Sequence, residues 1–215
     1  MPKKKKHQQE NFNIDIPKLE PKNPRQQEYV ESINDNQITF CFGPAGTGKS
    51  YVAVHTASKI VTEKPEYEFI YLIRPLIEAG GEKIGILPGE VSDKTEPYYA
   101  PSLALFKKVL QEDYEFFRAT EKIQFLPVAY ARGWNFDNCV VIVEEAQNLN
   151  LTQLELILTR LGTNCKMIIS GDVFQSDIRK SPLRKTSEYL MGIEDIQTVE
   201  FLEEDVVRNP LIIEI

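Results

Sequence analysis

The sequence predicts an α/β protein built on a parallel sheet. Short apolar runs rich in β-forming residues alternate along the chain with amphipathic helical segments. Polar residues follow the end of several of these runs, and a glycine-rich loop joins the first run to a helix. Because the carboxyl ends of parallel strands meet at one edge of a sheet, we expect these polar residues to share one crevice.

The N-terminal part of the chain divides into an arm and the start of a domain. Residues 1–22 contain the basic run Lys3–Lys6 and lack periodicity, which predicts a flexible arm followed by a single domain over residues 23–215. We favour a solvated tail over a phosphate-binding arm. A short helix is expected from Pro24, and its Gln26 is a candidate for the adenine edge, since an amide both donates and accepts. A surface glutamine is the alternative.

The first strand leads into a loop that fits the pattern G-x-x-x-x-G-K-[ST] between a strand and a helix. Glycines let consecutive backbone N–H groups wrap a phosphate. Lys49 is expected to neutralise β- and γ-phosphate oxygens, Ser50 to bind Mg²⁺, and the helix N-terminus to add its dipole. The residues expected at the nucleotide are Gln26, Gly43, Pro44, Ala45, Gly46, Thr47, Gly48, Lys49, Ser50 and Tyr51.

A second strand over residues 68–73 ends directly before Arg74. Residues 76–101 contain several glycines and prolines, which predicts a long loop. Such a loop either contacts a polymer or a neighbouring subunit, or is a structural Ω-loop. Residues 102–118 are predicted to form one helix with an apolar core-facing stripe.

Aromatic and basic residues follow the predicted third strand. Arg132 and Trp134 lie in a turn-rich segment, where both side chains have the chemistry to stack on a nucleic-acid base. For Trp134, an anchor at the edge of the core is the favoured alternative.

Two carboxylates follow a fully apolar strand at residues 139–143. Acids at the end of a buried strand are costly unless a cation or a polar site lies there. In a P-loop protein this is the Walker B position, so we expect Glu144 to hold Mg²⁺ and Glu145 to act as the general base. Two solvated acids at a helix start are the alternative.

The next strand, over residues 166–170, leads to another polar cluster. Asp172 is expected to support the metal shell, and Gln175 to sense a γ-phosphate or to orient water. After a further helix and a strand at residues 198–202, a lone Arg208 precedes a proline near the end of the chain.

Composition narrows the classes of function. A formal net charge of −7 argues against a surface uniformly built for nucleic acid, so any such contact should be local. The three cysteines lie in apolar runs without C-x-x-C spacing, and we expect them to be reduced. No apolar run is long enough to span a bilayer and no signal-peptide core is present, which predicts a cytoplasmic protein with no membrane partner.

Taken in order, these segments resemble the PhoH family of P-loop ATPases, in its short form from bacteria and their phages, for which the compartment is the host cytoplasm. The resemblance runs from about Asn23 to the C-terminus. Its supporting segments are residues 43–50, 73–75, 78–80, 87–89, 144–148, 158–162, 171–175 and 205–210.

The family resembles the first RecA-like domain of superfamily-1 helicases, which implies a parallel sheet flanked by helices. The resemblance further implies that Gln26 contacts adenine and that Arg74 and Gln175 lie near the γ-phosphate or nucleic acid. It makes Arg208 the candidate arginine finger. The chain departs from the family's commoner pattern at three positions, with Glu144 for aspartate, and Ala100 and Trp134 for arginines.

A single RecA-like domain constrains the assembly. Superfamily-1 helicases place ATP between two such domains, so an arginine finger in this chain is expected to reach a neighbouring subunit's ATP. This predicts a homo-oligomer with heterologous contacts, preferably a hexameric ring.

The leading functional hypothesis is an oligomeric, Mg²⁺-dependent ATPase that remodels or unwinds RNA or single-stranded DNA. The second is an ATP-gated binding or regulatory protein with slow hydrolysis and no helicase activity. Phosphate transfer to a small acceptor is disfavoured, since no acceptor domain with clustered arginines can be recognised.

Overall fold

The computed structural model describes residues 14–75, 91–173, 175–176 and 181–207. The helices are α1 (Pro24–Asp35), α2 (Lys49–Glu63), α3 (Val91–Leu110), α4 (Tyr114–Ala119), α5 (Leu151–Leu158) and α6 (Leu183–Tyr189). The strands are β1 (Ile38–Phe42), β2 (Phe69–Ile73), β3 (Ile123–Phe125), β4 (Cys139–Val143), β5 (Cys165–Gly171) and β6 (Ile196–Glu200).

All six strands run parallel in one sheet, in the order β3-β2-β4-β5-β1-β6. The register pairs Phe40 of β1 with Ile169 of β5, and Ile142 of β4 with Ile168 of β5. Strand β5 therefore separates the P-loop strand β1 from the strand β4 that carries the two acids. The predicted single α/β domain with a parallel sheet flanked by helices is confirmed.

Successive residues of the central strands pack on opposite faces of the sheet, because side chains alternate along a strand. In β4, Val140 and Ile142 belong to the core formed with α1 to α4. Cys139, Val141 and Val143 belong to the core formed with α5 and α6. Each face is thus covered by helices, which explains why the strands are almost uniformly apolar. Within the described part of the chain, no helix is long and apolar enough to cross a membrane.

Helix α3 corrects two sequence predictions. Residues 91–101, predicted to be loop, belong to this helix, and residues 76–90 of the predicted loop lie outside the described residues. The helix passes through prolines that ordinarily end one, because the buried Tyr99 and Phe106 anchor it against the core. The helix predicted over residues 102–118 is divided, since Gln111 adopts a left-handed φ of 48° between α3 and α4.

Part of the predicted N-terminal arm packs against the domain. Ile14, Ile16 and Leu19 are partly buried against the core that contains residues of α1 and α2. The ring Nε2 of His55 lies 2.6 Å from the carbonyl oxygen of Pro17. Residues 14–22 therefore cover a side of the domain, whereas residues 1–13 of the arm lie outside the described residues.

Candidate nucleotide site at the carboxyl edge of the sheet

The P-loop has the backbone that its glycines predict. Gly46 and Gly48 have φ angles of 87° and 89°, in the left-handed region that a side chain would strain. The Lys49 ammonium donates to the carbonyl oxygens of Gly43, at 2.6 Å, and Pro44, at 2.7 Å. Lys49 thus lies across the loop, where phosphate oxygens would be its alternative partners.

Two donors from outside the loop fix its shape. The Gln26 amide donates from Nε2 to the Thr47 carbonyl at 2.9 Å, and the Val207 backbone N–H donates to the Gly46 carbonyl at 3.1 Å. Gln26 is buried, and its Oε1 accepts from the Lys22 backbone N–H at 2.9 Å. Both polar atoms of the Gln26 amide are thus engaged with protein groups, so the predicted adenine contact stays a prediction.

Gly43 and Phe201 show how closely the last strand approaches the loop. A Cβ on Gly43 would lie 2.5 Å from Phe201 Cβ and 2.6 Å from its carbonyl oxygen. The Phe201 N–H donates to the Phe42 carbonyl at 2.8 Å. Only glycine can occupy this first position of the loop, for a packing reason as well as a phosphate-binding one.

Glu144 is buried at the end of β4, as the sequence predicts. Its backbone N–H donates to the Ile73 carbonyl at 3.0 Å, and its side-chain Oε2 accepts a hydrogen bond from the Ser102 hydroxyl of α3. Burial raises the pKa of the Tyr29 phenol well above its usual value, and the charges of Cys41 and Glu144 add to this. The acid is therefore held between the end of β4 and helix α3.

Glu145 adopts a left-handed backbone, with φ 52° and ψ 35°. A non-glycine residue there is strained, and such positions cluster at functional sites. Its two carboxylate oxygens contact different donors. The Arg74 guanidinium is 3.5 Å from Oε1, and the Gln147 amide donates to Oε2 at 2.7 Å. The predicted general base is thus oriented by two side chains and remains about half exposed.

Gln147 joins the ends of β4 and β5. It is 2% exposed, and its Oε1 accepts from the Asp172 backbone N–H at 3.1 Å. The Ser176 hydroxyl donates to the Gln147 carbonyl at 3.0 Å. A Cβ on Gly171 would lie 2.6 Å from Gln147 Oε1, so this glycine leaves room for the amide. Asp172 is buried beside it, whereas Gln175 is exposed.

The nucleic-acid candidates divide into two places. Arg74 contacts Glu145 directly, at the carboxyl edge of the sheet. Arg132 lines an open groove of about 820 Å³ beside α5, together with Val128 and Leu151. Trp134 and Tyr71 pack edge to face, with the ring centroids 5.4 Å apart, and Trp134 is 39% exposed. Trp134 therefore serves as an edge anchor with one part of its ring accessible.

Two further candidates differ from the rest. The Tyr51 ring faces α3, where the Lys108 ammonium lies 5.1 Å from its centroid. Arg208, the candidate arginine finger, lies outside the described residues, directly after Val207.

The donor set fits a nucleotide with one divalent cation. A loop of backbone N–H groups with a lysine suits phosphates, and a serine hydroxyl with a buried carboxylate suits Mg²⁺. Within the described ranges, no cluster of three or more His, Cys, Asp or Glu side chains could hold a metal ion. Protein side chains there need phosphate and water oxygens to complete a magnesium shell.

Sequence reasoning did not identify Ser102, and it found Gln147 only within the family pattern. An amide two residues after the acids, at the end of a buried strand, is a local signal that could have identified Gln147. No local signal identifies Ser102, because its contact with Glu144 depends on how α3 packs.

Comparisons with known proteins identify the family and support the fold. The family model described as PhoH-like protein matches residues 18–215. A PhoH-like protein of Bacillus subtilis is 42% identical over 195 residues, which cover 88% of this chain and 60% of the relative. Protein PhoH of Escherichia coli K12 is 33% identical over 196 residues, which cover 88% of this chain and 55% of the relative. The chain thus spans somewhat more than half the length of these relatives.

Among solved structures, the large terminase from a thermophilic bacteriophage shares the fold. Its TM-score is 0.57 at 8% identity, covering 88% of this chain and 48% of the terminase. A second crystal form, in complex with ADP, gives a TM-score of 0.50 at 9% identity, with the same coverage. From the family match and the two relatives, we conclude that this chain belongs to the PhoH family.

Proposed function

We propose that this chain binds ATP with Mg²⁺, hydrolyses it, and couples hydrolysis to the remodelling of RNA or single-stranded DNA. The observation that carries the proposal is the convergence of the P-loop and the acids Glu144 and Glu145 on one edge of the sheet. The ADP complex of the terminase, which shares this fold, supports a nucleotide as the ligand.

Each residue of the site has a separate task in hydrolysis. The Lys49 ammonium exchanges its loop carbonyls for phosphate oxygens and neutralises charge that develops on them. Ser50 and Glu144 would hold Mg²⁺, which would supply electrostatic stabilisation of the phosphates. Glu145 accepts the proton of the attacking water, in the orientation set by Arg74 and Gln147.

Other predicted residues act around this centre. Gln26 reaches the adenine edge if its amide leaves the Lys22 N–H, and Gln175 approaches the γ-phosphate from the loop after β5. Asp172 supports the metal shell from the same loop, where its backbone is bound to Gln147. Tyr51 lies at the start of the P-loop helix, beside the phosphates.

The contact between Arg74 and Glu145 supports coupling to a polymer. Arginine is well suited to phosphate, and an exposed ion pair at 3.5 Å is weak enough to be exchanged. A nucleic-acid backbone that attracts Arg74 therefore changes the surroundings of the general base. Arg132 in the groove beside α5 and the exposed part of the Trp134 ring supply further contacts for the polymer.

We place Arg208 as an arginine finger in a homo-oligomer, preferably a hexamer. The proposal is tested by mixing Lys49→Ala subunits with Arg208→Ala subunits. A finger that acts between subunits restores hydrolysis in the mixture, since the Lys49→Ala subunits supply Arg208 to intact P-loops. The backbone bond from Val207 to its own P-loop makes action within one subunit the competing arrangement, for which mixing restores nothing.

The alternative function is an ATP-gated binding or regulatory protein in the cytoplasm, with slow hydrolysis. The acidic net charge of −7 favours it over a motor on nucleic acid. For this alternative we expect a rate of ATP hydrolysis that RNA and single-stranded DNA do not change.

The deciding experiment measures ATP hydrolysis with and without RNA and single-stranded DNA, together with the mass in solution by light scattering. Lys49→Ala is the control for contaminating ATPases. We expect stimulation by one of the polymers in a multi-subunit species, and none in Lys49→Ala. Hydrolysis by the parent chain that is indifferent to both polymers would favour the alternative function.

A further inference from the structure

Ser102 of α3 is bonded to the buried acid at the end of β4. The serine is 1% exposed, and its hydroxyl donates to Oε2 of Glu144, which is 4% exposed. Both groups lie beneath the nucleotide site, in a region where α3 packs along the P-loop helix α2. The bond therefore connects the candidate magnesium ligand to an element other than its own strand.

The Ser102 hydroxyl bonds to a residue outside its own helix, which distinguishes it from helix hydroxyls such as those of Ser187 and Thr62. Serine and threonine in helices commonly bond back to a carbonyl of the preceding turn. Ser187 does so with Arg184 at 2.8 Å, and Thr62 does so with Ser58 at 2.9 Å. Ser102 instead points across to another element, so its bond serves the acid more than its own helix.

A buried carboxylate needs donors that fix its orientation. An acid with no donor pays the full desolvation cost of its charge, and one held by a donor has a defined rotamer. Outer partners of metal ligands act in this way, and their loss weakens metal binding by an order of magnitude or more. For Glu144, the described part of the chain supplies this donor from Ser102.

We infer that Ser102 is a positioning residue for Mg²⁺ binding, which it serves by holding the Glu144 carboxylate through its hydroxyl. The inference rests on the proposed function, in which Glu144 is the acid that holds the cation. Ser102 touches neither nucleotide nor cation in this scheme and acts through Glu144 alone.

The length of the Glu144 side chain brings its carboxylate within hydrogen-bonding distance of the Ser102 hydroxyl. An aspartate at this position has one methylene fewer, which withdraws the carboxylate by about 1.5 Å. A hydrogen bond does not survive such a shift without movement of the helix. Ser102 therefore matches the longer acid that this chain carries, and its contribution should disappear when the acid is shortened.

The test measures the affinity of the full chain for a non-hydrolysable ATP analogue, by displacement of a fluorescent ADP analogue, as free Mg²⁺ is varied. The proteins compared are the parent, Ser102→Ala, Glu144→Asp and the variant that carries both substitutions. Ser187→Ala is the matched control, because Ser187 is also buried but bonds within its own helix. Melting temperatures without Mg²⁺ report any general loss of structure.

We expect Ser102→Ala to raise the Mg²⁺ midpoint about tenfold and to leave nucleotide affinity in EDTA close to that of the parent. In the Glu144→Asp background, the same substitution should move the midpoint less than about twofold, because the two changes remove one interaction. Ser187→Ala should leave the midpoint unchanged.

An unchanged or lower Mg²⁺ midpoint in Ser102→Ala would overturn the inference, because the hydroxyl would then only satisfy or compete for the buried charge. An equal shift in both backgrounds would also overturn it, since the effect would not pass through Glu144. A parent chain whose nucleotide affinity ignores Mg²⁺ would contradict the proposed function itself, and this is seen before any variant is compared.

Discussion

At the scale of single residues, hydrogen bonds from neighbouring side chains orient the acid Glu145 of the candidate site. Glu145 has a strained backbone, and both of its oxygens contact protein donors. Gln147 binds one of them and is fixed in turn by the backbone of Asp172. The proposed general base is therefore oriented by protein groups, which lowers the cost of reaching a reactive geometry.

Gln147→Ala tests this orientation. The substitution removes the bond to Glu145 and frees the Asp172 N–H, so we expect kcat to fall about tenfold or more while nucleotide affinity changes little. Steady-state hydrolysis and analogue binding measure the two effects. Gln153→Ala, which removes the glutamine of the α5 capping box and none of the bonds to Glu145 or Asp172, is the control. A matched loss of affinity and kcat would contradict the assignment.

Because Cys41 is buried, we predict that the free energy of unfolding falls at alkaline pH. Burial raises the pKa of its thiol from 9.0 to about 12, against the opposing charge of Lys49. Between these values the unfolded chain has released the proton and the folded chain has not, so stability is full below pH 9 and falls as pH rises. The slope contributed is about 1.4 kcal/mol per pH unit.

Denaturant unfolding from pH 7 to 10 compares the parent with Cys41→Ala. The variant is less stable at pH 7 because of the cavity, but its stability should fall less steeply above pH 9. Parallel curves for the two proteins would show that Cys41 ionisation does not contribute.

The sequence was sufficient to predict where the P-loop and the two acids lie in the fold, because each belongs to a local pattern. The P-loop and the acids after β4 were predicted because their spacing requires a strand before and a helix or turn after. Ser102 was not predicted, since a serine in a helix has no distinguishing neighbour in the sequence. The hydrogen bond from the Gln26 amide to the Thr47 carbonyl was not predicted either, because it depends on how α1 packs against the P-loop.

At the scale of elements, the N-cap residue of α1, Asn23, connects this helix to the segment that follows β6. The side chain of Asn23 accepts from the Gln26 N–H at 2.8 Å and donates to the Asp205 carbonyl at 3.1 Å. Such caps satisfy helix donors that have no intrahelical partner. The cap thus also fixes where Gln26 meets the loop.

Asn23→Ala should cost about 1 kcal/mol and lower the melting temperature by about 2–4 °C. Asn34→Ala is the matched control, because Asn34 is exposed near the other end of the same helix and alanine favours helix there. Thermal unfolding of the two variants beside the parent gives the answer. Equal melting temperatures for both variants would contradict the capping role.

Helix α3 shows why element boundaries were harder to predict than strands. The glycines and prolines of residues 76–101 favour a loop when only local propensity is considered. The burial of Tyr99 and Phe106 nevertheless stabilises the helix. The strands were predicted well because parallel strands buried on both faces give continuous apolar runs. Tertiary packing therefore overrides the local propensity for a loop at the start of α3.

At the scale of the whole molecule, the parallel sheet brings distant residues together. The P-loop after β1, the acids after β4 and the loop after β5 are far apart in sequence, yet all follow carboxyl ends at one edge. The strand order places β5 beside β4, so Gln147 after β4 can bond the backbone of Asp172 after β5. The fold therefore brings the residues of the candidate site together.

The most direct test of the central claim is Glu145→Gln, measured for nucleotide affinity and for ATP hydrolysis in one preparation. The amide keeps the size of the side chain but cannot accept the proton of water. We predict nucleotide affinity within about threefold of the parent and a fall in kcat of about a hundredfold or more. Hydrolysis at the parent's rate would contradict the assignment of Glu145 as the general base and, with it, the proposed site.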